Sequence, residues 1–485
     1  MKKMNLLAMS LVSAAALSFS SCSSNDDLTS GGGSNQSKVE SFYMTFAVQT
    51  PTSNGTRTQQ PTDENFKVAG TTAETKITSG TFYLVNEKTK KTVFTKNITA
   101  SELNNSAPES PVKGTTTTKI EVPVQDVDEN VNYIVYFLAN TTDATPWTST
   151  YTATTGFTGA YATDNNFVMF NQNDKNSHAD KYTVKFEAAN KEISNPAKVS
   201  ETIMLDRVTA RIDKPTTVAG ITITAKYPEG ATAEKKAAID AEIAKVKTVT
   251  QSKYAITNLS NKTNIMQKWD DATWAALQIP TDIAYMQKPG DLGDQWTLKN
   301  YNWFANAAKN YVFENTKETP TTMYFEYVLG LDENKFTDTP DCTDGTFYRY
   351  NGVIYRSIAA IYAAYADQPI LFGGKTAEAL KGELKIADGK ITATDAELAT
   401  FRKDNVIEVF VAGKTYYSQV IIDKWLNAET IQRNTIYQLN VKNIYNLGAD
   451  VPNGKPDENK PMYYLDVEVS VNPWVLSTQD VNLGE

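Results

Sequence analysis

Residues 42–48, FYMTFAV, decide the class of fold. Phe42, Met44, Phe46 and Val48 fall on one side of an extended chain and Tyr43, Thr45 and Ala47 on the other, the two-residue period of a half-buried strand. Further strand-like runs follow at 81–85, 92–94, 118–122, 133–138, 167–170 and 182–186, separated by Asn, Gly, Pro and Thr clusters. Short strands broken by frequent turns predict a β-sandwich rather than a βαβ fold. A domain boundary is expected near Lys214-Pro215, after MLDRVTARID at 204–213. The second half opens with a strand at 220–225. A helix is expected at 232–247, with Thr232 as its cap and Ile239, Ile243 and Val246 on one face. A second helix is expected at 357–366, where Ile358, Ile361, Tyr362 and Tyr365 form a core-facing stripe. Strands resume at 385–386, 406–411, 415–422, 436–441 and 463–471, and LGADVPNGKPDENKP at 447–461 reads as a long polar loop. The expected fold is mostly β, two β-sandwich domains with a few helices on the second.

Composition narrows the function. At about 150 residues per domain, 485 residues predict two to three domains. The 47 Lys plus Arg against 56 Asp plus Glu give a net charge of -9, which repels phosphate backbones and argues against a nucleic-acid partner. With two cysteines and one histidine, Cys/His zinc sites and disulfide frameworks drop out, as does any nucleophile–histidine pair not built on His178. No enzyme chemistry, metal or cofactor is expected.

Lys2 and Lys3 precede an apolar stretch within 5–19 that falls short of the ~20 residues a membrane span needs, the pattern of a secretion signal over 1–21. Ser20 and Ser21 lead into Cys22, an order resembling the lipobox of bacterial lipoproteins, with Phe19 in place of the usual Leu. Residues 22–37 form a Gly/Ser-rich tether. With Cys22 lipidated, Cys342 is left as a small buried or loop thiol.

The remaining motifs are weak. FGGKT at 372–376 lacks the earlier glycine of a phosphate-binding loop, because Pro369 stands there. Asp338, Asp341 and Asp344 are spaced by three, unlike the alternate ligands of a calcium loop, so a solvated loop is the reading. His178 sits among polar residues as a surface histidine. No spacing selects a carboxylate pair for glycoside hydrolysis. The seven Trp and 25 Tyr suit strands and cores as well as sugar platforms.

Two features stand out. Arg57 is the first arginine and lies in the turn-rich stretch PTSNGTRT at 51–58, just after the first strand. At the far end Leu465, Val467, Val469 and Val471 alternate with polar residues ahead of Pro473-Trp474. Such a strand pairs with its own sheet or fills a neighbour's groove.

These features resemble the fimbrial shaft subunits of Bacteroidales, the type V pili, most closely the short-fimbria shaft proteins of Porphyromonas. The resemblance rests on the lipobox at Cys22, the strand-then-arginine arrangement, RVTARI at 207–212, RNTIYQLNVKNIYNLG at 433–448 and VEVSVNPW at 467–474. It implies two sandwiches of transthyretin-like topology, spanning 58–214 and 215–461. It implies lipidation at Cys22 and cleavage between Arg57 and Thr58 by an arginine-specific protease, which removes the strand of 38–57 (Phe42, Met44, Phe46, Val48). The groove left is filled by a neighbour's donor strand within 462–485 (Leu465, Val467, Val469, Val471, Trp474). The implied partners are further copies of the chain, fimbrial anchor and tip subunits, and the outer membrane through the lipid before cleavage. The competing expectation is a permanently anchored glycan-binding surface lipoprotein.

Overall fold

In the computed structural model, which describes residues 40–50, 70–104, 115–141, 145–154, 157–174, 177–270, 273–288, 296, 301–368, 370–452, 464–472 and 476–479, the 42–48 alternation becomes strand β1 (Ser41–Gln49). A single turn of helix follows, α1 (Thr72–Thr75). The first half continues with β2 (Gly80–Asn86), β3 (Thr92–Ile98), β4 (Thr115–Pro123), β5 (Asn132–Ala139), β6 (Met169–Asn171), β7 (Thr183–Lys185), β8 (Ala197–Lys198) and β9 (Ile203–Arg207). Their order is β8-β1-β9-β6-β5-β2-β3, with β4 on β1 and β7 on β5. This sheet folds over on itself. Phe46 of β1 meets Phe82 of β2 and Phe137 of β5 at ring-centroid distances of 5.1 and 5.5 Å, so two leaves enclose one core. β2 and β5 are also covered on their other face, where Tyr83, Val85, Ile134 and Tyr136 join a second cluster. Burial on both faces is why TFYLV and YIVYFLA are continuous apolar runs rather than alternating ones.

The second half holds β10 (Ala210–Asp213), helix α2 (Ala233–Ile243), β11 (Val246–Thr257), β12 (Lys309–Val312), β13 (Thr322–Leu331), β14 (Phe347–Tyr350), helices α3 (Ile358–Ala364), α4 (Ala377–Leu384) and α5 (Asp395–Asn405), and then β15 (Glu408–Phe410), β16 (Lys414–Val420), β17 (Ile436–Tyr445), β18 (Tyr464–Asn472) and β19 (Leu476–Gln479). One sheet runs β12-β10-β17-β18-β19 and another β11-β13-β16. Ile212, Tyr437, Leu439 and Val441 from the first share a core with Ile256, Met323, Phe325 and Tyr417 from the second, sheet against sheet. Gly448 has no room for a side chain: a Cβ there would lie 2.6 Å from the Tyr416 carbonyl, where the chain leaving β17 presses onto β16.

Several expectations need correcting. The helix predicted for 232–247 ends at Ile243, because the β-branched run from Val246 starts β11; Thr232 does cap it, accepting from Lys235 N–H. The 220–225 strand shrinks to Ile223–Thr224. β13, with its first six residues buried, was not read from the sequence; neither were α4 and α5, although Thr394 and Glu397 form a capping box at the start of α5. The supposed polar loop at 447–461 starts as core: Leu447, Ala449, Asp450 and Val451 are buried. Asp450 there accepts hydrogen bonds from Arg402 Nε (2.6 Å) and Val409 N–H (2.9 Å). Residues 453–463 lie outside the described part.

Candidate functional site

β1 is the strand on which the first core closes. Its edges are both taken: nine residues pair antiparallel with β4, from Ser41 opposite Pro123 to Gln49 opposite Thr115. The other edge is shared in turn by β8 (Met44 opposite Ala197) and β9 (Val48 opposite Ile203), both parallel. Phe42, Met44, Phe46 and Val48 are fully buried or nearly so. At ~1.5–3 kcal/mol for each large side chain, the four contribute about 6–12 kcal/mol before ordering costs. Withdrawing β1 would leave a groove with a row of backbone N–H and C=O groups along each wall, an apolar floor of Phe82 and Phe137, and Ile120 and Val122 of β4 along one side. A strand alternating apolar and polar residues satisfies all three surfaces.

The chain resumes at α1, which is pinned by a buried carboxylate. Glu74 Oε1 accepts from Arg211 Nη1 (2.9 Å), Lys309 Nζ (3.0 Å) and Tyr311 OH (2.6 Å), and Oε2 from Thr71 N–H (2.8 Å). Arg207 Nε donates to the Glu74 carbonyl and Arg207 Nη1 to Asn434 Oδ1, each at 2.8 Å; Asn434 Nδ2 reaches Asp206. The RVTARI and RNTIYQLN segments thus meet around one residue, Glu74, that sequence reading missed. Its signal was present in Thr71-Thr72-Ala73-Glu74, a capping box.

Burial alone would raise the Glu74 carboxyl, but the Tyr311 hydroxyl, the Thr71 amide and Arg211 outweigh it and hold the group down at about 2, against an ordinary 4.5. A carboxyl depressed on folding stabilises above its unfolded value and loses that contribution as pH falls toward the folded one. Urea midpoints should therefore drop on acidification from about pH 4.5 to about 2, and Glu74→Gln should flatten that part of the curve. Parallel curves for the two proteins would assign the acid sensitivity elsewhere.

β18 lies on its own β17, antiparallel, with Leu465 opposite Ile444, Val467 opposite Val441, Val469 opposite Leu439 and Val471 opposite Tyr437. β17's other edge carries β10 and the two-residue strands Thr216–Thr217 and Ile223–Thr224. The two proposed exchange strands therefore sit in different sheets of one chain. Cys22, Arg57, Thr58 and Trp474 lie outside the described residues.

The six arginines after Arg57 are all engaged. Arg207 and Arg211 hold Glu74, Arg349 pairs with Glu408, Arg356 with Asp338, Arg402 with Asp450 and Arg433 with Glu314. The most open of them, Arg356, exposes 14% of its side chain. A protease that must draw an extended arginine into its own pocket finds none of the six accessible without local unfolding.

The acidic loop has structural duties. Asp338 Oδ2 accepts from Ser357 Oγ and Asp341 Oδ2 from Ile358 N–H, both at 2.7 Å, organising the start of α3; Asp344 Oδ1 accepts from Thr346 N–H. Among the described residues no three His, Cys, Asp or Glu side chains are grouped to hold a metal ion. Cys342 is buried, and burial with Asp344 and Asp341 nearby pushes its thiol up to about 11, so it is a poor nucleophile. His178 is exposed and lies against Trp274, ring centroids 4.4 Å apart.

The arrangement is that of a β protein whose chain ends form strands in two different sheets. Residues 408–480, which span β15 to β19, match the family described as major fimbrial subunit protein type IV, fimbrillin, C-terminal. No curated protein matches. Among solved structures the chain is similar to a fimbrilin from Porphyromonas gingivalis W83 (14% identity, 91% of this chain and all of that one, TM-score 0.43). It is also similar to a fimbrial assembly protein from Parabacteroides distasonis (10%, 89% and 95%, TM-score 0.36) and to the tip fimbrial protein Mfa3 of Porphyromonas gingivalis (11%, 88% and 99%, TM-score 0.32).

Proposed function

We propose that this chain is the shaft subunit of a surface fimbria, exported as a lipoprotein on Cys22, cut after Arg57 and polymerised by donor-strand exchange. The observation that carries the reading is β1: an N-terminal strand, paired on both edges and filling the first core, joined to the rest of the subunit through the segment containing Arg57. While the chain is intact, β1 competes for its groove at an effective concentration in the millimolar range, which a neighbour's strand does not match. Cleavage makes β1 dissociable. Glu74 and its partners then hold the new N-terminal segment to the subunit body. The C-terminal strand, carrying Leu465, Val467, Val469 and Val471, leaves β17 and enters the groove of the next copy. Copies of the chain, anchor and tip subunits and an arginine-specific protease are the partners, and adhesion is the service the assembled fibre performs.

N-terminal sequencing of material sheared from cells tests the first step. Thr58 is expected as the first residue of the assembled protein. With Arg57→Ala, uncut precursor should accumulate and shafts should be absent. A blocked Cys22 on every surface molecule would instead support a permanently anchored glycan-binding lipoprotein.

A further inference from the structure

A cluster in the helical part of the second half is set up for chemistry that the fold does not require. Lys375 follows the turn Phe372–Gly374, where Phe372, Gly373 and Gly374 all have positive φ, and precedes the Thr376 cap of α4. Glu383 lies in α4 and Asn405 ends α5. The three side chains close a ring. Lys375 Nζ is 2.8 Å from Glu383 Oε1 and donates to Asn405 Oδ1 at 3.3 Å; Asn405 Nδ2 donates to Glu383 Oε2 at 3.4 Å.

The carboxamide is held on every side. Asn405 is almost fully buried, its Nδ2 also donates to the Phe401 carbonyl (2.9 Å), and the next residue, Val406, is fixed at φ 52, a region β-branched residues avoid. The backbone of Lys375 is also fixed, since Tyr362 OH donates to its carbonyl at 2.5 Å. An amine held within hydrogen-bond distance of the carboxamide oxygen, with one carboxylate touching both nitrogens, has the proximity that makes a slow bimolecular acylation intramolecular.

We propose that Lys375 and Asn405 form an intramolecular isopeptide bond, with Glu383 as the proton carrier. The Glu383 carboxylate takes a proton from the Lys375 ammonium. The neutral amine attacks Asn405 Cγ, Glu383 gives that proton to the departing amide nitrogen, and Glu383 then takes the second proton from the newly acylated nitrogen and releases it to solvent. A C–N bond forms, a C–N bond breaks and one ammonia leaves; no oxidant or co-reactant enters. About a third of the Lys375 and Glu383 side chains is open to solvent, which gives the ammonia an exit. The product ties the turn at 372–374 to the end of α5 across 30 residues of chain, closing a loop whose opening would otherwise begin local unfolding under load.

Tryptic mapping of the mature wild-type protein is the test. Acylated Lys375 resists trypsin, so a branched species joining residues 357–381 to 404–414, lighter than the sum of its parts by one ammonia, is expected. It should vanish in Lys375→Arg, Asn405→Ala and Glu383→Gln, while circular dichroism confirms that each variant folds. Full recovery of the ordinary 376–381 peptide from wild type would overturn the proposal. So would an ammonia loss confined to the 404–414 peptide, which signals cyclisation of Asn405 onto its own backbone, or a branched species that persists in Glu383→Gln.

Discussion

Deleting residues 463–485 is expected to give a subunit that is exported, cleaved at Arg57 and folded, yet forms no shaft. The deletion removes β18 and β19 with their pairings to β17 and to each other, while β17 keeps β10 and the two short parallel strands on its other edge. The vacated β1 groove is another matter. It needs an occupant for about 6–12 kcal/mol of apolar burial and for the nine-residue pairing edge of β4. The truncated subunit has no strand to supply. The expected readings are monomer or short oligomer on sizing columns and no fibres by electron microscopy. With β18 as the donor strand, Val469→Asp would carry a charge into that apolar groove and give shafts that dissociate at lower temperature than wild type. Shafts of normal length and heat resistance from the truncated protein would confine β18 to its own sheet and require another mode of assembly.

Replacing Arg433 by Met is expected to be the most damaging single change within the fold. Its Nη1 donates to the Ile265 carbonyl at 2.7 Å, and its Nη2 to the Asn264 carbonyl, Thr263 Oγ1 and Glu314 Oε2 at 2.5, 3.1 and 2.7 Å. Both members of the Arg433–Glu314 pair are about 98–99% buried by side-chain area, so removing one leaves a buried charge without its counterion, a loss of about 3–5 kcal/mol. Against a typical stability of about 5–15 kcal/mol, that is enough to lower yield and thermal midpoint sharply. Adding Glu314→Gln should recover part of the loss, because Gln267 Nε2 and the Arg433 N–H, which now reach Oε1, still find an acceptor there. If the double variant is no more stable than Arg433→Met, the unpaired charge is not the main cost.

Elements whose residues answer to their immediate neighbours were legible in the sequence. The alternation of 42–48 predicted a strand with one buried face, and β1 has it; Thr232 predicted a cap, and it caps. The strand runs of the first half were also placed correctly because β-branched and aromatic residues between turn clusters leave few alternatives. Local pattern failed where both faces of an element are buried or where helix and strand formers adjoin: β13 has little alternation to read, and the Ile243 to Val246 junction changes conformation within three residues.

For the candidate site, the division follows sequence separation. Four alternating apolar residues at each end of the chain are visible in sequence, as is an arginine beside the first four. Only the tertiary structure could show β1 enclosed between β4 and β8/β9, or bring Glu74, Arg211, Tyr311 and Asn434 to one point, or join Lys375 to Glu383 and Asn405. Periodicity reports which face of an element seeks burial, and it carries no information about which distant face receives it. That choice is made when loop closure, core volume and the pairing of every buried charge are satisfied together, and it is why two of the most polar residues of the RVTARI segment, Arg207 and Arg211, are among its buried ones.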